Sequence, residues 1–292
     1  MTSPPAATDR TQSGSVPGPT GPGWRRALRA LPAETRAALR SNDLLLFGAG
    51  VTFYGAIAVV PLFVLAVWLL SLVVGVDRVE ELAAELVEAL PAALGAPEVA
   101  GAGVDLGLAL SPLAAVFAVL PASLYGEGLR RAYAALADVD DTFVGWRGRL
   151  AVLPVLVVAP LLLLAVLAVT PLLNDLFGAG PGPTVLGIYV ALNVDWLVLS
   201  LPLTWSYRVV APDPPSWPVA AAGGFATGAF VAGFLQGFAL FLSLPIDLGA
   251  PFGGSTAVGA VVAVLLWMWV LHLVVLVGYV ATRHLQRLLD GR

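Results

Sequence analysis

From Leu44 to Val76 the chain runs thirty-three residues without a charge, closed off by Asp43 and Asp77. As a helix rising about 1.5 Å per residue, the run is about 50 Å long, against about 30 Å of hydrocarbon in a bilayer. One upright span cannot use all of it. Pro61, near the middle, has no N–H and crowds the carbonyl of Ile57, so a kink or break is expected there. Val60 to Gly75 then reads as deep membrane, and Leu44 to Val59 as a tilted or partly interfacial portion. Ser41, Asn42 and Asp43 supply side-chain oxygens that can cap the helix.

The rest of the chain agrees with that run. It is 59% hydrophobic and 12% charged, with mean hydropathy +0.89, values of polytopic membrane proteins. There is no cysteine, which excludes disulfides, thiolate metal sites and cysteine nucleophiles. A net charge of −4 argues against a nucleic-acid partner. No metal or other cofactor is expected.

Residues 1–23 are rich in Pro, Gly, Ser and Thr and read as a disordered tail without a secretory signal. Residues 24–43 form a basic juxtamembrane amphipathic segment carrying Arg25, Arg26, Arg29, Arg36 and Arg40. Residues 44–286 are read as a six-helix membrane domain with spans near 44–76, 106–126, 150–173, 184–207, 217–244 and 255–282, and 287–292 as a C-terminal tail. Val79 to Leu94 puts Val79, Leu82, Leu86, Ala89 and Leu90 on one face and Glu80, Glu81, Glu85 and Glu88 on the others. This acidic amphipathic helix is expected to cover the outer mouth. No internal repeat is visible. The fold class is therefore an all-α integral membrane bundle of six helices.

The arginines give the orientation, because cytoplasmic flanks collect them. With the N-terminus inside, fourteen of the fifteen cationic residues fall on the cytoplasmic side and only Arg78 falls outside. Both termini are then cytoplasmic, in the plasma membrane. Trp24, Trp146, Trp217, Tyr207 and Tyr279 fall near the expected inner interface, where aromatic belts form.

Polar residues within the spans are few. Asp195 and His272 sit at similar counted depths, about 20 and 17 Å from the flanking Arg208 and Arg283, so they can meet. With Gln236 they are the candidates for a substrate or proton path, the usual role of intramembrane acids, although a packed carboxyl explains Asp195 equally and a lone histidine such as His272 is more often a satisfied core residue. Glu127 and Arg131, four apart, pair on one helix face. Gly224 and Gly228 form a small-residue ridge for packing, and Phe230, Phe234, Phe238 and Phe241 a stripe on another face.

Phe53-Tyr54 before Pro61, Arg130-Arg131 followed by Trp146-Arg147-Gly148-Arg149, a Pro-rich loop ending at Trp217, Phe252-Gly253-Gly254, and Trp267 and Trp269 leading to Gly278 together resemble the YihY/BrkB family over about residues 38–286. The resemblance implies a six-span inner-membrane protein tied to envelope integrity. Two side chains depart from the family pattern, at Ala58 and Val280. An older ribonuclease label in that family finds no clustered His and carboxylates and no basic groove here. No enzyme activity is expected. The first functional reading is a transporter or translocation factor for a lipid-like or amphipathic envelope component; a non-transporting scaffold is second and an intramembrane enzyme third. The expected partners are membrane lipids, with envelope proteins or a second copy of the chain as further candidates.

Overall fold

The computed structural model describes residues 43–89, 95–178, 180–242, 244 and 246–291, with isolated positions at 29, 31–33 and 35–36. The expected tail 1–23 and nearly all of the basic segment 24–43 lie outside the described residues. Every regular element among the described residues is helical, and six helices are long and apolar enough to cross a membrane.

Helix α1, Leu44–Val74, is capped by Asp43, whose Oδ1 accepts from Leu46 N at 3.2 Å. It continues unbroken through Pro61. The expected break is absent because a membrane helix can lose one backbone bond when neighbours and local adjustment compensate. Gly75, with φ of +90°, ends it and starts α2, Val76–Ala89. As expected, α2 turns Val79 and Leu82 inward, onto Val67, Leu70 and Leu167, and leaves Glu80, Glu81 and Glu88 exposed. Leu90 to Leu94 lie outside the described residues.

The second span differs from its expected limits of 106–126. A separate helix α3, Ala96–Leu108, comes first, and α4 begins at Pro112 and runs to Ala137. Ser111 Oγ accepts from Ala114 N at 3.2 Å, and proline fits the first helical turn because its missing N–H has no partner to lose there. Helix α3 lies against α1 through Gly103 and Gly107: a methyl on Gly107 would come within 2.6 Å of the Val67 side chain.

Helix α5 is Val144–Gly178 and α6 Pro181–Trp205, the latter continuing into a π turn, Ser206–Val210, one turn after Pro202. Helix α7, Trp217–Leu242, packs on α6 along the predicted glycine ridge: methyls on Gly224 and Gly228 would meet Thr204 Oγ1 and Ser200 Oγ at 2.3 and 2.2 Å. Gly253 and Gly254, at φ +64° and +84°, make the turn before α8, Thr256–Asp290. The helix passes its expected end at 282 and takes in the tail expected from 287, held by Gln286 bonds to Ser216 and Asp290.

Arg78 on α2 aside, the arginines that flank the described spans gather at one end. Arg283 on α8 donates to the last carbonyls of α4, Leu136 O at 3.3 Å and Ala137 O at 2.8 Å, where helix carbonyls lack partners. Arg130 joins Asp141 at 2.7 Å and Val210 O at 2.8 Å, and Arg147 adds a bond to Asp141 at 3.1 Å. Burial raises the Asp141 pKa, but the Arg130 bond and the charges of Arg130 and Arg147 outweigh it and hold the carboxyl below its ordinary value. Trp146 and Trp217 are exposed, as a belt requires. Tyr207 and Tyr279 are not: both are fully buried. They belong to the core, because position along a helix does not give rotation about its axis.

Candidate functional site

Where α1, α4, α5, α6, the π turn, α7 and α8 come together they line a partly open cavity of about 340 Å³. Its wall is mostly apolar, with Leu62, Leu129, Val152, Leu199, Leu235 and Leu271 among the lining residues. The volume falls within the roughly 300–1,000 Å³ of ligand pockets. Only a few polar side chains reach it, chiefly Tyr125, Ser206 and His272.

Hydrogen bonds hold His272 from both sides. Its Nδ1 lies 3.1 Å from Thr52 Oγ1, and its Nε2 3.2 Å from the Tyr125 hydroxyl. Thr52 gives its only hydroxyl proton to Gly48 O at 2.8 Å, so toward His272 it accepts and Nδ1 donates. Nε2 shares its bond with the Tyr125 hydroxyl. The imidazole joins α8 to α1 and α4. Gly55 gives it room: a methyl there would sit 3.2 Å from Cε1 of the ring.

Toward the basic end the cavity rests on a tyrosine layer. Tyr133, Tyr207 and Tyr279 are completely buried, with ring centroids 4.2 to 6.1 Å apart. Tyr133 shares a 2.7 Å bond with Ser206, and Tyr207 donates to Val275 O at 2.8 Å with Thr227 Oγ1 at 3.1 Å. The Tyr279 hydroxyl has no partner among the described residues. Gly278 permits this layer, since a methyl there would lie 2.1 Å from Thr227 Oγ1 and 2.6 Å from the Tyr207 hydroxyl.

Asp195 and His272 do not bond to each other. Asp195 Oδ2 accepts from Gln236 Nε2 at 2.8 Å, across α6 and α7. This pair lies toward the acidic end and does not line the cavity, but Leu199, one turn after Asp195, and Leu235, next to Gln236, do. The three candidates thus bracket one cavity, His272 in its wall and the amide–carboxyl pair beyond it.

The other motif positions divide by role. Tyr54 packs its ring over Gly128 and lies beside Arg131, while Phe53 is exposed. Pro61 is half-buried within α1 and precedes Leu62 of the cavity wall. Trp267 donates to Phe234 O at 3.2 Å and stacks on Phe238, with centroids 4.9 Å apart, so part of the predicted phenylalanine stripe holds α7 to α8. Trp217 covers Arg208 at 5.4 Å. The cavity itself was missed in sequence because its wall is leucine and valine like any other apolar face. The tyrosines had a detectable signal, being the hydroxyl-bearing rings on three different apolar segments.

No group of three or more His, Cys, Asp or Glu able to hold a metal occurs among the described residues. The model of a family described as Virulence factor BrkB matches residues 35–292. No curated protein and no solved structure matches the chain.

Proposed function

The chain belongs to the BrkB virulence-factor family of multi-pass membrane proteins, and from that premise we propose that it transports or translocates a lipid-like or amphipathic component of the envelope. In this reading it lies in the plasma membrane with the arginine-rich end and both termini in the cytoplasm. The central cavity carries the proposal. A bundle built only to brace a membrane gains most from dense packing, since voids forfeit dispersion contacts. Here six spans converge on about 340 Å³ of space with an apolar wall, which suits hydrocarbon better than a hydrated solute. His272 and Tyr125 use their polar atoms on each other and on Thr52, leaving the wall apolar. Asp195 and Gln236 are the proposed polar step on the acidic side, where a headgroup would pass.

The scaffold reading draws on the acidic α2 and the basic opposite end, which could engage different partners. Proteoliposomes separate the two. Purified protein is reconstituted with a fluorescent phospholipid, and an impermeant reductant reports how much inner-leaflet probe becomes accessible. Wild type should expose the protected fraction faster than protein-free liposomes, and Leu235→Trp, which fills the cavity, should slow it severalfold. Wild type indistinguishable from empty liposomes, or Leu235→Trp as fast as wild type, would remove the cavity from the function.

A further inference from the structure

A second feature lies at the basic end, where α4 crosses the start of α5. Gly126 and Gly148 meet so closely that a methyl on either would sit 2.3 or 2.4 Å from the other's carbonyl oxygen. The crossing brings the first turn of α5 against Glu127. That carboxylate, with its side chain 8% exposed, accepts at Oε1 from Arg131 Nε at 2.9 Å and Nη2 at 2.7 Å, and at Oε2 from Arg149 Nε at 2.7 Å. Sequence spacing revealed the Arg131 partner; Arg149, twenty-two residues on, comes only from the fold.

Beside this knot opens a cleft of about 400 Å³ lined by Glu127, Arg131, Phe143, Trp146, Arg149 and the turn between them. Two guanidiniums face one carboxylate there, so the lining keeps one positive charge. The carboxylate is covered while the Arg131 and Arg149 side chains are 51% and 30% exposed. Arg149 commits only Nε, leaving both terminal nitrogens without a hydrogen-bond partner among the described residues. Asp141 does not reduce this charge, being turned to Arg130 and Arg147, and Asp138 and Asp140 do not line the cleft. Phe143 and Trp146 are about two-thirds exposed on its rim, and the Arg149 guanidinium lies 5.6 Å from the Trp146 ring centre.

We infer that this cleft binds the phosphate of an anionic lipid headgroup, with Arg149 and Arg131 as donors and Trp146 and Phe143 seated in the interface beside it. A guanidinium fork matches phosphate oxygens, and Glu127 beneath holds both forks in place before the ligand arrives. The exposed rings favour a lipid over a dissolved ion, because an indole and a phenyl at headgroup depth rest against acyl chains. Arg149 stands one turn before Val152, which lines the central cavity, so the cleft is its near neighbour along α5. The inference rests on the reading that the protein handles an amphiphile, and it names that molecule's headgroup.

The test uses the full chain in a neutral detergent, with phosphatidylglycerol, phosphatidylcholine and inorganic phosphate added separately and thermal stability recorded. Phosphatidylglycerol should raise the melting temperature of wild type, while phosphatidylcholine and phosphate should not. The gain should disappear in Arg131→Gln/Arg149→Gln and persist in part in Arg149→Lys, whose lipid-free melting temperature reports folding separately. Brominated phosphatidylglycerol should quench a tryptophan signal that Trp146→Phe lacks. Equal stabilisation by inorganic phosphate would overturn the lipid source. Equal effects of the two lipids, a gain that survives the double substitution, or quenching unchanged in Trp146→Phe would overturn the site. Binding without lipid movement in proteoliposomes would leave this inference standing and sink the transport reading alone.

Discussion

Asp195 is the residue at which packing and transport make different demands. Among the described residues its carboxyl has one hydrogen bond, from Gln236, although a carboxylate has about four acceptor sites. Asparagine preserves an oxygen for that bond and removes the charge. Asp195→Asn should therefore insert at normal abundance, with any stability change within the roughly 0.6–2 kcal/mol of interhelical polar contacts, yet move lipid more slowly in the proteoliposome assay. Asp195→Leu should lose both stability and transport, because the Gln236 amide is left without its acceptor. Full transport by Asp195→Asn would reduce the pair to a clamp between α6 and α7. The sequence made Asp195, His272 and Gln236 visible as rare polar residues in apolar runs, but not their partners. Depth along a helix follows from counting residues; direction around it depends on how each helix is rotated, and that put His272 with Thr52 and Tyr125 instead of Asp195.

Among the elements, the turn from α4 to α5 shows how a short loop can be tied down by charge. Asp141, its side chain 2% exposed, holds Arg130, Arg147 and the Phe143 amide at once. Its pKa is depressed in the fold, so its contribution is complete above the unfolded value of about 4 and is lost as pH falls through the lower, folded value. Asp141→Asn should lower the melting temperature at neutral pH, and the gap from wild type should close as the pH is taken well below about 4. A gap unchanged in acid would mean that the charge contributes nothing. Helix types and approximate limits were legible here because runs of apolar residues announce spans. The division between α3 and α4 was not, since Leu106 to Leu120 is apolar nearly throughout; the break is encoded in Ser111-Pro112, a cap followed by a residue without an N–H.

Across the whole molecule, the arginine asymmetry makes an orientation that labelling can test. The chain has no cysteine, so each introduced thiol is unique. Gly182→Cys, with open space around its position, and Ala250→Cys, exposed, should react with an impermeant thiol reagent from outside intact cells, and Asp290→Cys only after permeabilisation. The reverse pattern would invert the protein. Composition and hydropathy were sufficient for an all-helical membrane bundle with six spans, because burial in lipid demands long apolar helices whose backbone bonds are internal. Charge placement along the chain was sufficient to separate a basic end from an acidic one. The tertiary structure alone decided that Tyr207 and Tyr279 are core and not belt, that Glu127 gathers a second arginine, and that the spans leave a cavity between them. The physical reason is the solvent: lipid accepts any apolar face, so hydrophobicity tells a helix that it belongs in the membrane without telling it which face meets its neighbours. That choice is made by local shape, at glycines where helices cross closely and at hydroxyls that find partners only once they do.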